Sequence, residues 1–424
     1  MPLSQINTNS LGALAITTSQ IANNAVTAAQ VANNTIGTPQ LNNLTSANVS
    51  QINTSTGTPS FTTGANTINF GTQSIGASSA STMKNRIING AMVIDQRNAG
   101  GSISVSSDSG QYGVDRMNLG ATGGGVFSSQ QSSTAPAGFS NSLKLTVTTA
   151  SSPSGSNYYF IRQRIEGYNT ADLGWGTSAA KTVTLSFWVQ SSVTGTYSIG
   201  ITATGTTATY CASYTITSAN TWQYVTITIP GPTIGSWATT NSPSIELFFA
   251  LGLGTTYAGN ANTWTASAYY MGTTGTTNWI ATNGATFYIT GVQLEVGSAA
   301  TSFDFRHYTQ ELQLCQRYYQ AFTNTNSAGS GIFGSGYIDG SAQGRGYTAL
   351  KVTMRANPTV TGTGLYIQNN QVVGPQTSFN TYKTTYDAIA YIVTSTGAGF
   401  TSGQGCLVVD NTTTSASITC SAEL

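Results

Sequence analysis

Cutting a glycosidic bond takes two carboxylates set on either side of it. The chain has thirteen acidic residues, and none falls in a DxE or ExxD pair that reads as such a site. Asp95, Asp115, Glu166 and Glu295 are expected to be used inside the fold, paired with cations such as Arg86, Arg97 or Arg116. His307 is the one histidine. With no second histidine and no Ser or Cys arranged around it, it reads as a packed residue rather than a base. Cys211, Cys315, Cys406 and Cys420 show no CxxC spacing, so no zinc site is expected.

The residue types present suit recognition better than bond breaking. Sugars are held by exposed aromatic faces with amide and hydroxyl partners. Trp188 and Trp222 sit inside apolar strand patterns and are expected in a core. Trp237, Trp264 and Trp279 lie in polar stretches near Tyr257, Tyr269 and Tyr270, which makes them candidate glycan platforms. The competing use is to plug an interface between subunits. Further along, Tyr337, Tyr347, Tyr382 and Tyr386 are set among Gly-, Ser- and Asn-rich stretches and are the other glycan-contact candidates.

The composition frames these sites. Charged residues are 6% of the 424, against about 25% in an ordinary soluble domain. Ser, Thr, Asn, Gln and Gly fill the deficit, while aromatics hold at 10%. That is a β-rich protein with a polar, uncharged surface, not a disordered one. Net charge is +1 and the cations are scattered, so nucleic acid is not an expected partner. No run of eighteen apolar residues is present, so no membrane span is expected. The opening MPLSQINTNS has no basic and apolar leader pattern, so no secretory signal is expected either.

Residues 6 to 41 carry a repeat. Ile6, Leu11, Ile16, Ile21, Val26, Val31, Ile36 and Leu41 are apolar at steps of five, which is neither the helix nor the strand period. It does match a helix entry. With Thr17 as N-cap, Gln20 closes a capping box and Ile16 and Ile21 form a hydrophobic staple. Val26, Thr27, Gln30 and Val31 repeat the set, as do Ile36, Gly37, Gln40 and Leu41, and Asn pairs follow each unit. Helices shorter than about 12 residues are marginal alone. The pairs Ile16–Ile21, Val26–Val31 and Ile36–Leu41 must therefore bury against copies of themselves, in an oligomeric stalk.

From Lys84 onward short alternating runs take over. Residues 181–190, 195–204, 221–230, 244–251 and 285–296 read as antiparallel strands of a sandwich. HYTQELQLCQRYYQ reads as a helix, with Tyr308, Leu312, Cys315 and Tyr319 along one stripe. It forms either a three-helix neck or a helix packed on its own subunit's sheet. Tyr318 and Tyr319 are expected to be structural within it. The divisions are a stalk and attachment shaft at 1–83, a jelly-roll sandwich at 84–306, a neck helix at 307–321 and a C-terminal β-sandwich tip at 322–424.

SFWVQ, TWQYVTITIPG and FYITGVQLEVG resemble the jelly-roll sandwich of carbohydrate-binding modules. NRIINGAMVIDQRNAG, YGVDRM, GVQLEVGSAATSFDFRHYTQELQLCQRYYQ, KVTMRANPTV and the final SAEL resemble segments of bacteriophage tail-fibre proteins, as the decads resemble fibre stalks. The resemblance implies a mainly β, non-enzymatic homotrimer docked by its N-terminus on a tail or baseplate adaptor protein and contacting host polysaccharide. It implies assembly in the host cytoplasm, release by lysis and residence in the virion tail. Cytoplasmic assembly implies four free thiols, the competing arrangement being Cys406 with Cys420 across a hairpin. It implies no cofactor, save a structural calcium such as jelly-roll modules carry. Two other classes remain: a glycan-degrading tailspike, which needs a long parallel β-helix, and a cellular surface adhesin, which needs a leader or an anchor.

Overall fold

In the stretch VTLSFWVQS, Val183, Leu185, Phe187 and Val189 alternate with Thr184, Ser186, Trp188 and Gln190. The odd residues are all fully buried, as the two-residue period of a strand with one face on a core demands. The computed structural model describes residues 83–205, 208–323, 331–369, 373–396, 399–410 and 416–424. The chain divides into two units, Met1–Ile75 and Gly76–Leu424, and the described residues belong to the second. The decad residues Ile16, Ile21, Val26, Val31, Ile36 and Leu41 lie outside them.

The described chain is mainly β. The first fifteen strands are β1 (Ile103–Val105), β2 (Gln111–Val114), β3 (Met117–Ala121), β4 (Val126–Ser132) and β5 (Ser142–Thr149), followed by β6 (Tyr158–Glu166), β7 (Val183–Ser191) and β8 (Gly195–Ala203). Then come β9 (Ala208–Ile216), β10 (Gln223–Ile229), β11 (Pro243–Leu253), β12 (Ala258–Gly259), β13 (Trp264–Ala266), β14 (Gly272–Thr273) and β15 (Thr286–Val296). They form a six-stranded sheet, β1-β4-β5-β15-β7-β10, and a seven-stranded one, β13-β9-β8-β11-β6-β3-β2. The two pack face to face through rings such as Phe187 of β7 against Phe249 of β11, with centroids 5.1 Å apart. All five strands expected in this region are present.

Helix α1 (Tyr308–Gln316) is shorter than expected. Cys315 is fully buried with Ile88, Ile94 and Tyr318, Leu312 packs against that cluster, and Tyr308 is exposed. The helix thus covers its own chain. Tyr319 is not on it but opens β16 (Tyr319–Thr323), because this segment pairs with the last strand of the chain.

The C-terminal module continues with β17 (Ile332–Ile338), β18 (Gln343–Ala349), β19 (Thr359–Thr363), β20 (Leu365–Gln368), β21 (Val373–Thr384), β22 (Ala388–Ser395), β23 (Gly405–Asp410) and β24 (Ser417–Ser421). It closes into a barrel, β17-β18-β22-β21-β20-β23, beside a small sheet β16-β24-β19, where the sequence suggested a second sandwich. Closure is sterically specific. A methyl group on Gly346 would fall 2.5 Å from the Tyr391 ring, so the tyrosine fills the barrel only because β18 has glycine there.

Barrel and sandwich are tied by buried charge. Glu423 accepts from Arg97 at 2.6 Å and also pairs with Arg116. The Arg116 guanidinium lies 3.7 Å from the Tyr318 ring centroid, and the Tyr318 hydroxyl donates to Glu166 at 2.6 Å. Arg317 donates to the same carboxylate through Nε and Nη2. Arg355 donates to the carbonyls of Ala422, Glu423 and Asn241. The acids are structural with partners other than those expected: Arg86 pairs with Asp172, Glu295 accepts from Thr301, and Asp115 accepts from Gln96. Burial pushes the Asp115 carboxyl up to about 7, against the opposing pull of Gln96 and Arg97. All four cysteines are buried free thiols.

Candidate functional site

The alternation in β7 forces Trp188 outward, so the expected core position is corrected. Trp188 is half-buried on the outer face of the six-stranded sheet, directly opposite Tyr224 of β10, with rings 5.2 Å apart and tilted by 44°. Trp222 faces the same way and is not core either, since Val225 and Ile229 hold the inward positions. Its ring sits edge-on to Tyr288, 6.2 Å away.

Trp188 and Tyr224 form one side of a cleft of about 440 Å³, within the size range of small-ligand sites. Phe139, Phe303 and Phe305 form the other side. These three rings make a triangle with centroid distances of 5.1, 5.2 and 4.8 Å. The floor is a bulge in β15, where the register against β7 slips between Thr290 and Gln293. Gly291 sits in it at φ +63°, and a methyl group there would fall 2.7 Å from Phe139 Cζ and 3.1 Å from Trp188 Cδ1. Glycine is required on both counts.

A second hollow of about 270 Å³ shares Phe139, Phe303 and Phe305 and reaches Arg306 and Glu311, which pair with each other at 3.3 Å. In the larger cleft no carboxylate, imidazole or thiol lines the wall, only aromatic faces, Ser186, Thr301, Ser302 and small residues. Such a surface can hold a ligand by ring contact and hydrogen bonds. It offers no acid and base for hydrolysis.

Of the three tryptophans expected to form a platform, the fold brings two together and withdraws the third. Trp279 is fully buried in the sandwich core against Phe127 and Phe287, carried inward by the 3-10 turn Trp279–Ala281. Trp237 and Trp264 are half-buried and form an edge-to-face trio with Trp175, at 4.8, 5.6 and 5.7 Å. Their indole N–H groups donate to the carbonyls of Ile234 and Pro230. These bonds tie the loop carbonyls to the sandwich and leave both rings half-exposed.

The four C-terminal tyrosines are exposed, at 49% to 55%. Tyr337, Tyr347 and Tyr382 stand on the outer wall of the barrel, on β17, β18 and β21. Tyr386 is apart, in the turn after β21, where its carbonyl accepts from Met354 N beside the segment that ties the barrel to the sandwich. No group of three His, Cys, Asp or Glu side chains gathers as a metal site among the described residues. No described helix is long and apolar enough to cross a membrane.

No family model matches the chain, and no curated protein does. Solved structures similar to it include a family 4 carbohydrate-binding module, 17% identical over 49% of this chain and 98% of that one, with a TM-score of 0.25. The family 11 carbohydrate-binding module of a Clostridium thermocellum cellulosomal cellulase is 12% identical, over 46% of this chain and 94% of that one, TM-score 0.24. The enzymatically active domain of tailspike protein 4 from bacteriophage CBA120 is 15% identical over 50% of this chain, at a TM-score of 0.26. There the match spans 21% of the other chain.

Proposed function

We propose that this chain is a non-catalytic adhesive subunit of a bacteriophage tail fibre that binds neutral sugars of the host surface through the Trp188–Tyr224 cleft. The observation that carries the binding is the cleft itself: five aromatic rings around a glycine-floored hollow with no ionisable group suited to acid–base chemistry. An anionic residue entering it would lose its hydration with no cation in the lining to replace it, whereas an uncharged pyranose keeps its hydroxyls bonded and lays its apolar face on a ring. The fibre role is supported by the segments of phage-fibre resemblance. These include 85–100 and 112–117 at the sandwich side of the junction and 307–320 leading into the barrel. The decads support a parallel homotrimer docked at its N-terminus on a tail or baseplate adaptor protein.

The test has two arms. Gold-labelled antibody against the chain should decorate the tail fibres of purified virions. Pure protein should bind host polysaccharide without releasing reducing ends from it. Decoration of the host envelope alone would refute the virion role, and reducing-end release abolished by one acidic substitution would refute the non-catalytic role.

A further inference from the structure

Most described arginines are consumed within the fold. Arg317 commits Nε and Nη2 to Glu166, and Arg164 commits Nε to Glu246 and Nη1 to the Leu424 carbonyl. Arg345 on the outer barrel wall differs. It meets Asp339 through Nε alone, at 2.6 Å, and no carboxylate takes its terminal nitrogens. Its guanidinium carbon lies 4.5 Å from the Tyr382 ring centroid, and Lys383 Nζ lies 5.7 Å from the same ring. Tyr382 is the only ring among the described residues with two cations on it. Tyr337 stands directly across from Arg345 between β17 and β18.

We infer that the wall formed by Tyr337, Arg345, Tyr382 and Lys383 is a second sugar site, for an acidic sugar bearing a carboxylate. This rests on the reading of the chain as a glycan-binding protein. Two cations against one carboxylate leave the patch positive on an otherwise nearly uncharged protein. Asp339 holds Nε and so aims the guanidinium fork, whose terminal nitrogens meet no carboxylate in the fold and match one in bidentate geometry. The sugar's apolar face lies on Tyr337, and Asn380, across β22 from Arg345 through Ile392, is placed for a hydroxyl. The cleft on the sandwich lacks any such cation. The two sites therefore divide a mixed polysaccharide between them, neutral residue to the cleft and acidic residue to the barrel.

The test uses the full-length protein with two probes that differ in the carboxylate, trigalacturonate and galactotriose, followed by titration calorimetry. Arg345→Gln should weaken trigalacturonate about tenfold or more, the loss of a charge-assisted bidentate contact, and leave galactotriose unchanged. Trp188→Ala should do the reverse. Trigalacturonate binding to the wild type should fall as salt is raised, and Arg345→Lys should not restore it. The inference is overturned if Arg345→Gln binds trigalacturonate as the wild type does, or if pentaglutamate competes equally well. It is also overturned alone if galactotriose binds in a Trp188-dependent way and trigalacturonate not at all. If neither sugar binds, the glycan reading itself falls with it.

Discussion

The sandwich and the barrel present their aromatic residues in opposite ways. On the sandwich, Trp188, Tyr224, Phe139, Phe303 and Phe305 converge over one glycine to make a hollow without charge. On the barrel, Tyr337, Tyr347 and Tyr382 stand apart on a curved wall, and the polar work falls to Arg345, Asp339 and Lys383 between them. Their interiors differ in parallel. The sandwich buries Phe187, Phe249, Phe287 and Trp279, whereas the barrel makes room for Tyr391 by leaving side chains off β17 and β18. A wide sheet with a large core can spare an outer face for a concave site. The barrel has a hollow too, of about 480 Å³ between β17, β20 and β23, but no aromatic ring lines it, and on the wall around Arg345 recognition must come from charge and single rings.

The sharpest way to break this contrast is at the cores. Phe187→Ala removes a ring packed on both Tyr214 and Phe249 and should cost about 3 to 5 kcal/mol, read by chemical denaturation. A loss near zero would mean that the two sheets do not share that core. Next is the junction: Glu423→Gln leaves Arg97 and Arg116 buried without their counter-charge, a change worth about 3 kcal/mol or more. Calorimetry should then resolve separate transitions for the two modules where the wild type shows one. Identical scans would show that the ion cluster does not couple them. At the cleft, Trp188→Ala should lower affinity for a neutral host oligosaccharide by about 2 kcal/mol while the unfolding midpoint stays put.

The smallest effect concerns Asp115. Its folded pKa of about 7 lies above the usual carboxylate value of 3.8. The folded state therefore holds the proton more tightly than the unfolded chain does. That contribution to stability is fully present below about 3.8 and is lost as pH rises towards 7. Asp115→Asn should flatten the decline over this window in denaturation curves taken at several pH values. An unchanged slope would place the titration elsewhere.

Much of this was legible in the sequence, and the failures have particular causes. The strands at 183–191, 195–203 and 286–296 follow from alternation alone. The same alternation places Trp188 on the outer face, yet its size and its apolar neighbours suggested a core; parity outranks hydrophobicity in a strand with one buried face. The stripe through Tyr308, Leu312 and Cys315 was readable, but its end was not. Tyr319 is drawn into β16 by Ser421, a partner about a hundred residues onward, and no local signal reports such pairing. Glu423 is 307 residues from Arg116, so the junction was invisible for the same reason. Trp237, Trp264 and Trp279 lie in polar stretches that fold back onto the sandwich, which local composition does not reveal.

Hydrogen exchange read by mass spectrometry, on the full-length protein with and without a neutral host oligosaccharide, tests the central claim directly. The account predicts slowed exchange in peptides covering 136–140, 222–226 and 300–306, three of the segments that line the cleft with Trp188 and Gly291. Slowed exchange confined to the barrel at 331–410, or nowhere in the chain, would contradict it.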